Sequence, residues 1–183
     1  GIALAHKLKN EKAVTAVFTG EGGTSEGDFH EALNIASVWQ LPVLFCVENN
    51  GYGLSTPVSE QFNCEHIADK GKGYGMESHI IEGNNIVEVF TKVKEIAEEV
   101  RENPRPVLIE FKTFRMRGHE EASGTKYVPE ELMHYWEKQD PVENYEQFLL
   151  ESEFITRDEI SKFKSDIKSE IDEHLKRTNK EPS

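Results

Sequence analysis

The stretch "AVTAVFTGEGGTSEGDFHEALNIASVWQLPVLFCVENN", residues 13–50, contains two apolar runs separated by a glycine-rich turn and a segment of helical periodicity. Residues 13–20 are apolar, rich in β-branched side chains and end at a glycine, which predicts a buried strand. Residues 27–40 have apolar side chains at helical spacing, and residues 41–50 predict a second buried strand. Two buried strands joined by a helix are typical of a parallel β-α-β unit.

The same alternation continues further along the chain. Strands are predicted at 77–83 and 105–114, and Asn85 is predicted to cap a long helix over residues 86–103. Residues 64–75 predict one short helix that is broken by glycines. We therefore expect an α/β fold, in which a parallel sheet has helices on both faces. Ligands of such sheets bind beyond the carboxyl ends of the strands.

The alternation of strands and helices ends in the last third of the chain. Residues 115–128 form a polar loop without periodicity, which is too long for a simple connector. Helices follow from Pro129, from Asp140 as the cap with Pro141 at the first helical position, and from a capping box that begins at Thr156. The C-terminal part is therefore predicted to be helical.

Composition limits the classes of partner. The chain has 183 residues and a formal net charge of −13, so nucleic-acid binding would act against the overall electrostatic field. No apolar run approaches the length of a membrane span, and we expect neither nucleic acid nor a membrane as partner. Two cysteines without metal-binding spacing, Cys46 and Cys64, favour a reducing compartment: the cytoplasm, or the mitochondrial matrix of a eukaryote. Residues 1–10 already have the pattern of an amphipathic helix, so we expect a piece that lacks its N-terminal part.

A glutamate lies inside the glycine turn, where an anion-binding loop would not normally place one. The backbone N–H groups of Gly22 and Gly23, at a helix N-terminus, suit a phosphate. Glu21 would repel that phosphate unless a cation lay between them, and Mg²⁺ commonly bridges protein carboxylates to ligand phosphates. The next strand ends 29 residues later at Asn50, with an amide oxygen, and the Tyr52 carbonyl follows. These residues predict a magnesium site at one edge of the sheet.

Each of these motifs also has a purely structural interpretation. A glycine cluster alone more often forms a tight strand-to-helix turn, and Asn49-Asn50-Gly51 is a turn signal in itself. The occurrence of both motifs at this separation favours the ligand site.

The two motifs together resemble the signature of a known protein family. Gly20-Glu21-Gly22 followed by Asn49-Asn50 resembles the thiamine-diphosphate signature, G-[D/E]-G and then N-N after about thirty residues. The likeness continues through "GKGYG", "EGNN", "PVLIEFKTFRMRGH" and "WEKQDPVENYEQFLLE". The chain resembles the alpha-type part of the decarboxylating first component of 2-oxo acid dehydrogenase complexes. The GEG form, with "STPVSEQ" and "GYG", favours the branched-chain (2-oxoisovalerate) type over the pyruvate type.

The resemblance implies a fold and a set of site residues. The fold is the thiamine-diphosphate-binding fold, incomplete at the N-terminus, with residues 1–128 in the cofactor domain, residues 129–177 as its helical extension and residues 178–183 as a tail or linker. His119 corresponds to the histidine that faces the thiazolium and the substrate, and is the implied catalytic residue. The implied magnesium ligands are Glu21, Asn50 and the Tyr52 carbonyl, and the implied cofactor-binding residues are Gly20, Gly22, Gly23, Asn50 and Tyr52.

The resemblance also implies an activity and partners. The activity is oxidative decarboxylation of a 2-oxo acid, dependent on thiamine diphosphate and Mg²⁺, with acyl transfer to lipoamide. The partners are a beta-type subunit or domain and a lipoyl-bearing acyltransferase component, in a dimer or heterotetramer. The isolated piece is expected to be inactive, because the beta-type glutamate that activates the cofactor has no candidate here.

Two rival functions stay open at this stage. One is a noncatalytic assembly piece, which has the metal loop but too few contacts to hold the cofactor. The other is a dinucleotide-binding oxidoreductase domain, which requires G-x-G-x-x-G. In "GEGGTSEG" the third glycine, Gly27, is misplaced for that motif, and Glu21 would lie badly against a pyrophosphate without a metal.

Overall fold

The computed structural model describes residues 1–120 and 122–179. Its strands are β1 (Thr15–Gly20), β2 (Val43–Asn49), β3 (Tyr52–Gly53), β4 (Thr56–Pro57), β5 (Glu77–Glu82) and β6 (Val107–Lys112). Four of them form a parallel sheet in the order β1-β2-β6-β5, and β3 and β4 form a short antiparallel pair. The predicted parallel α/β architecture is confirmed.

Residues 1–120 and 122–179 contain six α-helices and three short 3₁₀ helices. The α-helices are α1 (Ile2–Leu8), α2 (Gly27–Trp39), α3 (Ile86–Glu102), α4 (Glu130–Glu137), α5 (Pro141–Glu151) and α6 (Arg157–Thr178), and the 3₁₀ helices are Gly22–Ser25, Val58–Glu60 and Ile67–Tyr74. Asn85, Asp140 and Thr156 cap α3, α5 and α6, as the sequence predicts. Within the described ranges, every helix is too short or too polar to cross a membrane.

Side chains of the central strands β2 and β6 alternate between two cores, one on each face of the sheet. The prediction that residues 13–20 form a buried strand is wrong in its burial, because β1 is an edge strand whose Val17 and Phe18 are 43% and 65% exposed. In β2, Val43, Phe45 and Val47 pack with α1, α2 and the 3₁₀ helix Ile67–Tyr74. Leu44 and Cys46 point to the opposite face and pack with α3. The period of two in a strand produces this division, so continuous apolar runs are needed where both faces are buried. Burial also raises the pKa of the Cys46 thiol to about 11, with a further contribution from Glu48.

The segment around residues 64–75 differs from its predicted form. It is a 3₁₀ helix, Ile67–Tyr74, which continues through Gly71 and Gly73 and ends at Gly75, with φ of +62°. A Cβ on Gly71 would lie 2.1 Å from the Ser78 hydroxyl oxygen. Gly71 is therefore a packing contact of the helix with β5 and does not break the helix.

The chain forms two compact units, Gly1–Gln139 and the residues from Asp140 onward. In the second unit, Lys164 of α6 forms a 2.7 Å ion pair with Glu146 of α5. The division into 1–128, 129–177 and 178–183 stays a prediction, and residues 180–183 of the predicted tail lie outside the described residues.

One buried carboxylate connects the sheet to the 3₁₀ helix Ile67–Tyr74. Glu110 of β6 is 1% exposed, and its Oε1 accepts a 2.7 Å hydrogen bond from the Asn49 side-chain amide at the end of β2. Its Oε2 accepts a 3.0 Å hydrogen bond from the Ala68 backbone N–H. Both carboxylate oxygens therefore hold segments that reach the carboxyl edge of the sheet.

We expect Glu110→Gln to lower the free energy of unfolding by about 1–3 kcal/mol, because an amide NH₂ would then face one of two buried donors. Asn49 cannot simply rotate its amide to compensate, since its Oδ1 already accepts a hydrogen bond from the Gly51 N–H. Guanidinium denaturation followed by circular dichroism measures the change. The matched control is Glu82→Gln, at an exposed position of β5. Equal stability of the two variants would contradict the bridging role of Glu110.

Candidate metal and diphosphate site

The ends of β1 and β2 place the two halves of the predicted signature side by side. The strands pair in parallel, with Gly20 opposite Glu48, so the residues that follow them share the carboxyl edge of the sheet. Glu21 follows β1, and its Oε2 accepts a 2.9 Å hydrogen bond from the backbone N–H of Asn50, which follows β2. The structure therefore brings these two predicted site residues into direct contact.

The carboxylate of Glu21 is buried without a balancing positive side chain. Glu21 is 1% exposed, and no Lys, Arg or His of the described ranges forms an ion pair with it. Within the described ranges, both oxygens of the buried Glu110 carboxylate accept hydrogen bonds, whereas only Oε2 of the Glu21 carboxylate does. A buried ionised carboxylate needs pairing or a metal, so the environment of Glu21 suits a bound cation.

Asn50 and Tyr52 form a tight turn beside Glu21. The Asn50 Oδ1 accepts a 3.3 Å hydrogen bond from the Tyr52 N–H, and Gly51 between them has φ of +89°. This Asx-type turn fixes the Asn50 amide oxygen, which keeps a second lone pair for another partner. The turn brings the third predicted ligand, the backbone of Tyr52, to the same loop.

The three predicted glycines have different surroundings. A Cβ on Gly22 would lie 3.3 Å from the Cα of Gly53, and a Cβ on Gly23 would lie 2.4 Å from the Thr19 hydroxyl oxygen. Gly20 has no neighbour within 4 Å of such a Cβ, so packing does not explain its lack of a side chain. Glycine at this open position leaves the end of β1 accessible to the close approach of a ligand.

The 3₁₀ turn Gly22–Ser25 is organised by Thr24. Both the backbone N–H and the hydroxyl of this fully buried residue donate to the carbonyl oxygen of Glu21, at 3.1 Å and 2.7 Å. Thr24 and Ser25 therefore lie inside this turn, and Glu26 is the residue that precedes α2.

His119 lies on the exposed part of the loop after β6 and is connected to the Asn50–Tyr52 turn through Arg115. Arg115 Nη1 lies 3.2 Å from His119 Nδ1, and Arg115 Nη2 donates to the Leu54 carbonyl oxygen and to the Tyr127 hydroxyl. Because a guanidinium only donates, Nδ1 must accept, which puts the proton of the neutral imidazole on Nε2. The Tyr127 ring packs 5.4 Å from the Tyr52 ring.

Lys70 was not a site candidate on sequence grounds, yet it contacts this loop. Its Nζ donates to the carbonyl oxygen and the hydroxyl of Thr24, at 2.8 Å and 2.9 Å. The rings of Phe29 and Phe62 flank the ammonium, with centroids 5.9 Å and 5.0 Å away. Desolvation by burial lowers the pKa of Lys70. Nothing in "DKGKGYG" distinguishes Lys70 from Lys72, so the sequence carried no signal for it.

The donor set favours a hard cation that also binds a ligand. Residues 1–120 and 122–179 contain no group of three or more His, Cys, Asp and Glu side chains that could hold a metal. The available donors are instead one carboxylate, one amide oxygen and one backbone carbonyl. Mg²⁺ typically takes one or two carboxylates and completes its shell with water and ligand phosphates, so this set fits it.

Comparisons with known proteins agree with the sequence pattern. The chain is 36% identical over 174 residues to 2-oxoisovalerate dehydrogenase subunit alpha 1, mitochondrial, of Arabidopsis thaliana, covering 93% of the chain and 37% of that protein. It is also 36% identical over 184 residues to pyruvate dehydrogenase E1 component subunit alpha of Bacillus subtilis, covering 100% of the chain and 50% of that protein. The chain thus spans between about a third and a half of the length of these relatives.

Among solved structures, the chain is similar to a putative thiamin diphosphate-dependent enzyme from Mycobacterium smegmatis, with 18% identity and a TM-score of 0.48, over 62% of this chain and 20% of the other. The model of one protein family, described as "Dehydrogenase E1 component", matches residues 1–183, the whole chain. The predicted family resemblance is confirmed. The chain belongs to the dehydrogenase E1 component family.

Proposed function

We propose that this chain supplies the diphosphate- and magnesium-binding part of a thiamine-diphosphate-dependent 2-oxo acid dehydrogenase, as its alpha-type component. The observation that carries the proposal is the buried Glu21 carboxylate in contact with Asn50, at the joined ends of β1 and β2. Membership of the family supports it, since the two relatives described above are alpha subunits of a 2-oxoisovalerate dehydrogenase and of a pyruvate dehydrogenase.

The proposed ligands of Mg²⁺ are the Glu21 carboxylate, the Asn50 amide oxygen and the Tyr52 carbonyl. The backbone N–H groups of Gly22 and Gly23 are proposed to bind the diphosphate, and the open position at Gly20 admits it. A metal between an acidic side chain and a polyphosphate removes the repulsion that a bare glutamate would cause. In this proposal Glu21 holds the metal that the diphosphate needs, a function that a simple turn residue would not have.

Thiamine diphosphate, when bound, supplies the carbanion chemistry that decarboxylates a 2-oxo acid and passes the acyl group to lipoamide. The protein positions the cofactor and controls protons around it. In the proposal, His119 is the catalytic acid-base residue. Arg115 donates to its Nδ1, so Nε2 carries the proton that His119 can donate.

The proposed substrate is a branched-chain 2-oxo acid, with pyruvate as the second candidate. The preference rests on the GEG form of the signature and on the "STPVSEQ" and "GYG" segments. Both relatives described above have the same 36% identity to this chain, so overall identity does not separate the two substrates. Steady-state kinetics with both acids on the complete enzyme will rank them.

The proposed partners are a beta-type subunit or domain and a lipoyl-bearing acyltransferase component, in a dimer or heterotetramer. Family membership supports these partners, since the relatives described above are alpha subunits. A reducing compartment stays a prediction. It accords with Cys46 and Cys64, which are both free thiols.

The first test is Glu21→Gln in the complete enzyme, measured by calorimetric titration with thiamine diphosphate in the presence and absence of Mg²⁺. Gln keeps an oxygen for the Asn50 N–H but loses the charge, so we expect Mg²⁺-dependent cofactor affinity to fall by about 100-fold or more. The matched control is Glu26→Gln, an exposed glutamate at the end of the same loop. That variant is expected to bind like the wild type.

Three outcomes of this titration count against the proposal. Unchanged affinity in Glu21→Gln removes the metal role of Glu21. Binding of NAD by the wild type indicates a dinucleotide-binding domain. No binding of thiamine diphosphate by the complete wild-type assembly removes the proposed cofactor site altogether.

The second test is His119→Asn. Loss of a positioned acid-base group costs typically 10²- to 10⁴-fold in rate, so we expect kcat to fall within about that range while cofactor affinity stays unchanged. The measurement is steady-state turnover of a 2-oxo acid at saturating cofactor. His134→Asn, an exposed histidine of α4, is the control and is expected to keep wild-type turnover. A wild-type kcat in His119→Asn would remove His119 from the catalytic step.

A further inference from the structure

We propose that Lys70 is a positioning residue for the metal ligand Glu21, acting through Thr24; this inference rests on the proposed function. The Lys70 ammonium donates to both the carbonyl and the hydroxyl oxygen of Thr24, at 2.8 Å and 2.9 Å. Thr24 in turn donates twice to the Glu21 carbonyl oxygen. Lys70 itself forms no ion pair with Glu21 within the described ranges, so its influence passes through the buried threonine.

The single proton of the Thr24 hydroxyl fixes which groups donate and which accept in this chain of hydrogen bonds. A threonine hydroxyl has one proton, and the Thr24 hydroxyl gives it to the Glu21 carbonyl oxygen. Its lone pairs are then free to accept, and Lys70 supplies a donor. Without Lys70, two acceptor sites on a fully buried residue would lose this donor. The turn that carries Glu21 would then be held less firmly.

The helix that carries Lys70 is itself anchored to the other half of the site. Ala68, two residues before Lys70, donates its N–H to Glu110, and the same carboxylate accepts from Asn49, the neighbour of Asn50. Asn50 donates to the Glu21 carboxylate. The hydrogen bonds and short backbone links thus form a closed ring around the two candidate ligand loops. Lys70 is the member of the ring that connects the Ile67–Tyr74 helix to the Glu21 turn.

The surroundings of Lys70 differ from those of an ordinary surface lysine. Phe29 and Phe62 flank its ammonium, and desolvation by burial lowers its pKa, so the ammonium is partly shielded from water where it contacts Thr24. Lys72, on the same helix, is exposed and pairs with Asp69 at 2.6 Å. The two lysines provide a matched pair for testing, because they share a helix and differ in their contacts.

The experiment measures the Mg²⁺ dependence of thiamine diphosphate binding to the complete enzyme by calorimetry, with Lys70→Met as the test variant and Lys72→Met as the control. Met keeps an unbranched apolar chain against the two rings and removes the donor. Loss of a group that orients a metal ligand typically costs 10- to 100-fold in metal affinity, so we expect a loss in about that range. Lys72→Met is expected to stay within about twofold of the wild type, because its ion pair is exposed.

Two further variants separate positioning from general stability. Lys70→Arg restores donors at the same position and is expected to recover most of the Mg²⁺ affinity that Lys70→Met loses. Thr24→Val interrupts the chain of hydrogen bonds at its middle and is expected to weaken Mg²⁺ binding to a similar extent. The double variant should lose less than the sum of the two single losses, because both changes break one connection.

Unchanged or tighter Mg²⁺ binding in Lys70→Met would overturn the inference, as would fully additive losses in the double variant. If Lys70→Met fails to assemble, wild-type Mg²⁺ affinity in Thr24→Val overturns it instead. These results are distinguishable from failure of the proposed function, in which the wild-type enzyme itself shows no Mg²⁺-dependent binding of thiamine diphosphate.

Discussion

The contact between the Glu21 carboxylate and the Asn50 backbone N–H is the interaction on which the candidate site depends. Two loops that are distant in sequence meet there because β1 and β2 are parallel neighbours and end at the same edge of the sheet. Placing a carboxylate in this position has an energetic cost, since Glu21 is buried and receives one hydrogen bond from a neutral donor. The proposed divalent cation would offset that cost, which links the fold of the edge to the proposed chemistry.

The 3₁₀ helix Ile67–Tyr74 contacts both loops of the candidate site or their neighbours. The 3₁₀ helix Ile67–Tyr74 has poorer hydrogen-bond geometry than an α-helix, and it gains definition from contacts with its surroundings. Glu110 holds its first turn, and Gly71 allows close approach to β5. Because Glu110 also holds Asn49, the position of this helix and the position of the Asn50 loop are fixed by one buried carboxylate.

The sequence predicted the features that depend on local pattern. Apolar runs and helical spacing identified the strands and helices of the parallel sheet, and the strand ends then located Glu21, Asn50 and Tyr52 at one edge. The 3₁₀ helix and its contacts could not be predicted in this way. Ala68 and Glu110 are 42 residues apart, and Lys70 and Thr24 are 46 residues apart, so no short-range pattern records either contact.

The Tyr52 side chain has a role separate from that of its backbone. Its carbonyl belongs to the proposed metal site, while its ring packs against Tyr127 and Phe114, which flank the loop that carries His119. Arg115 adds a second connection, because it contacts His119 and donates to the Leu54 carbonyl oxygen. A cofactor whose diphosphate and reactive ring are bound by different loops requires those loops to keep a fixed separation. The Tyr52 ring contacts with Tyr127 and Phe114 and the hydrogen bond from Arg115 to Leu54 connect the two loops, so these contacts set the separation that such a cofactor needs.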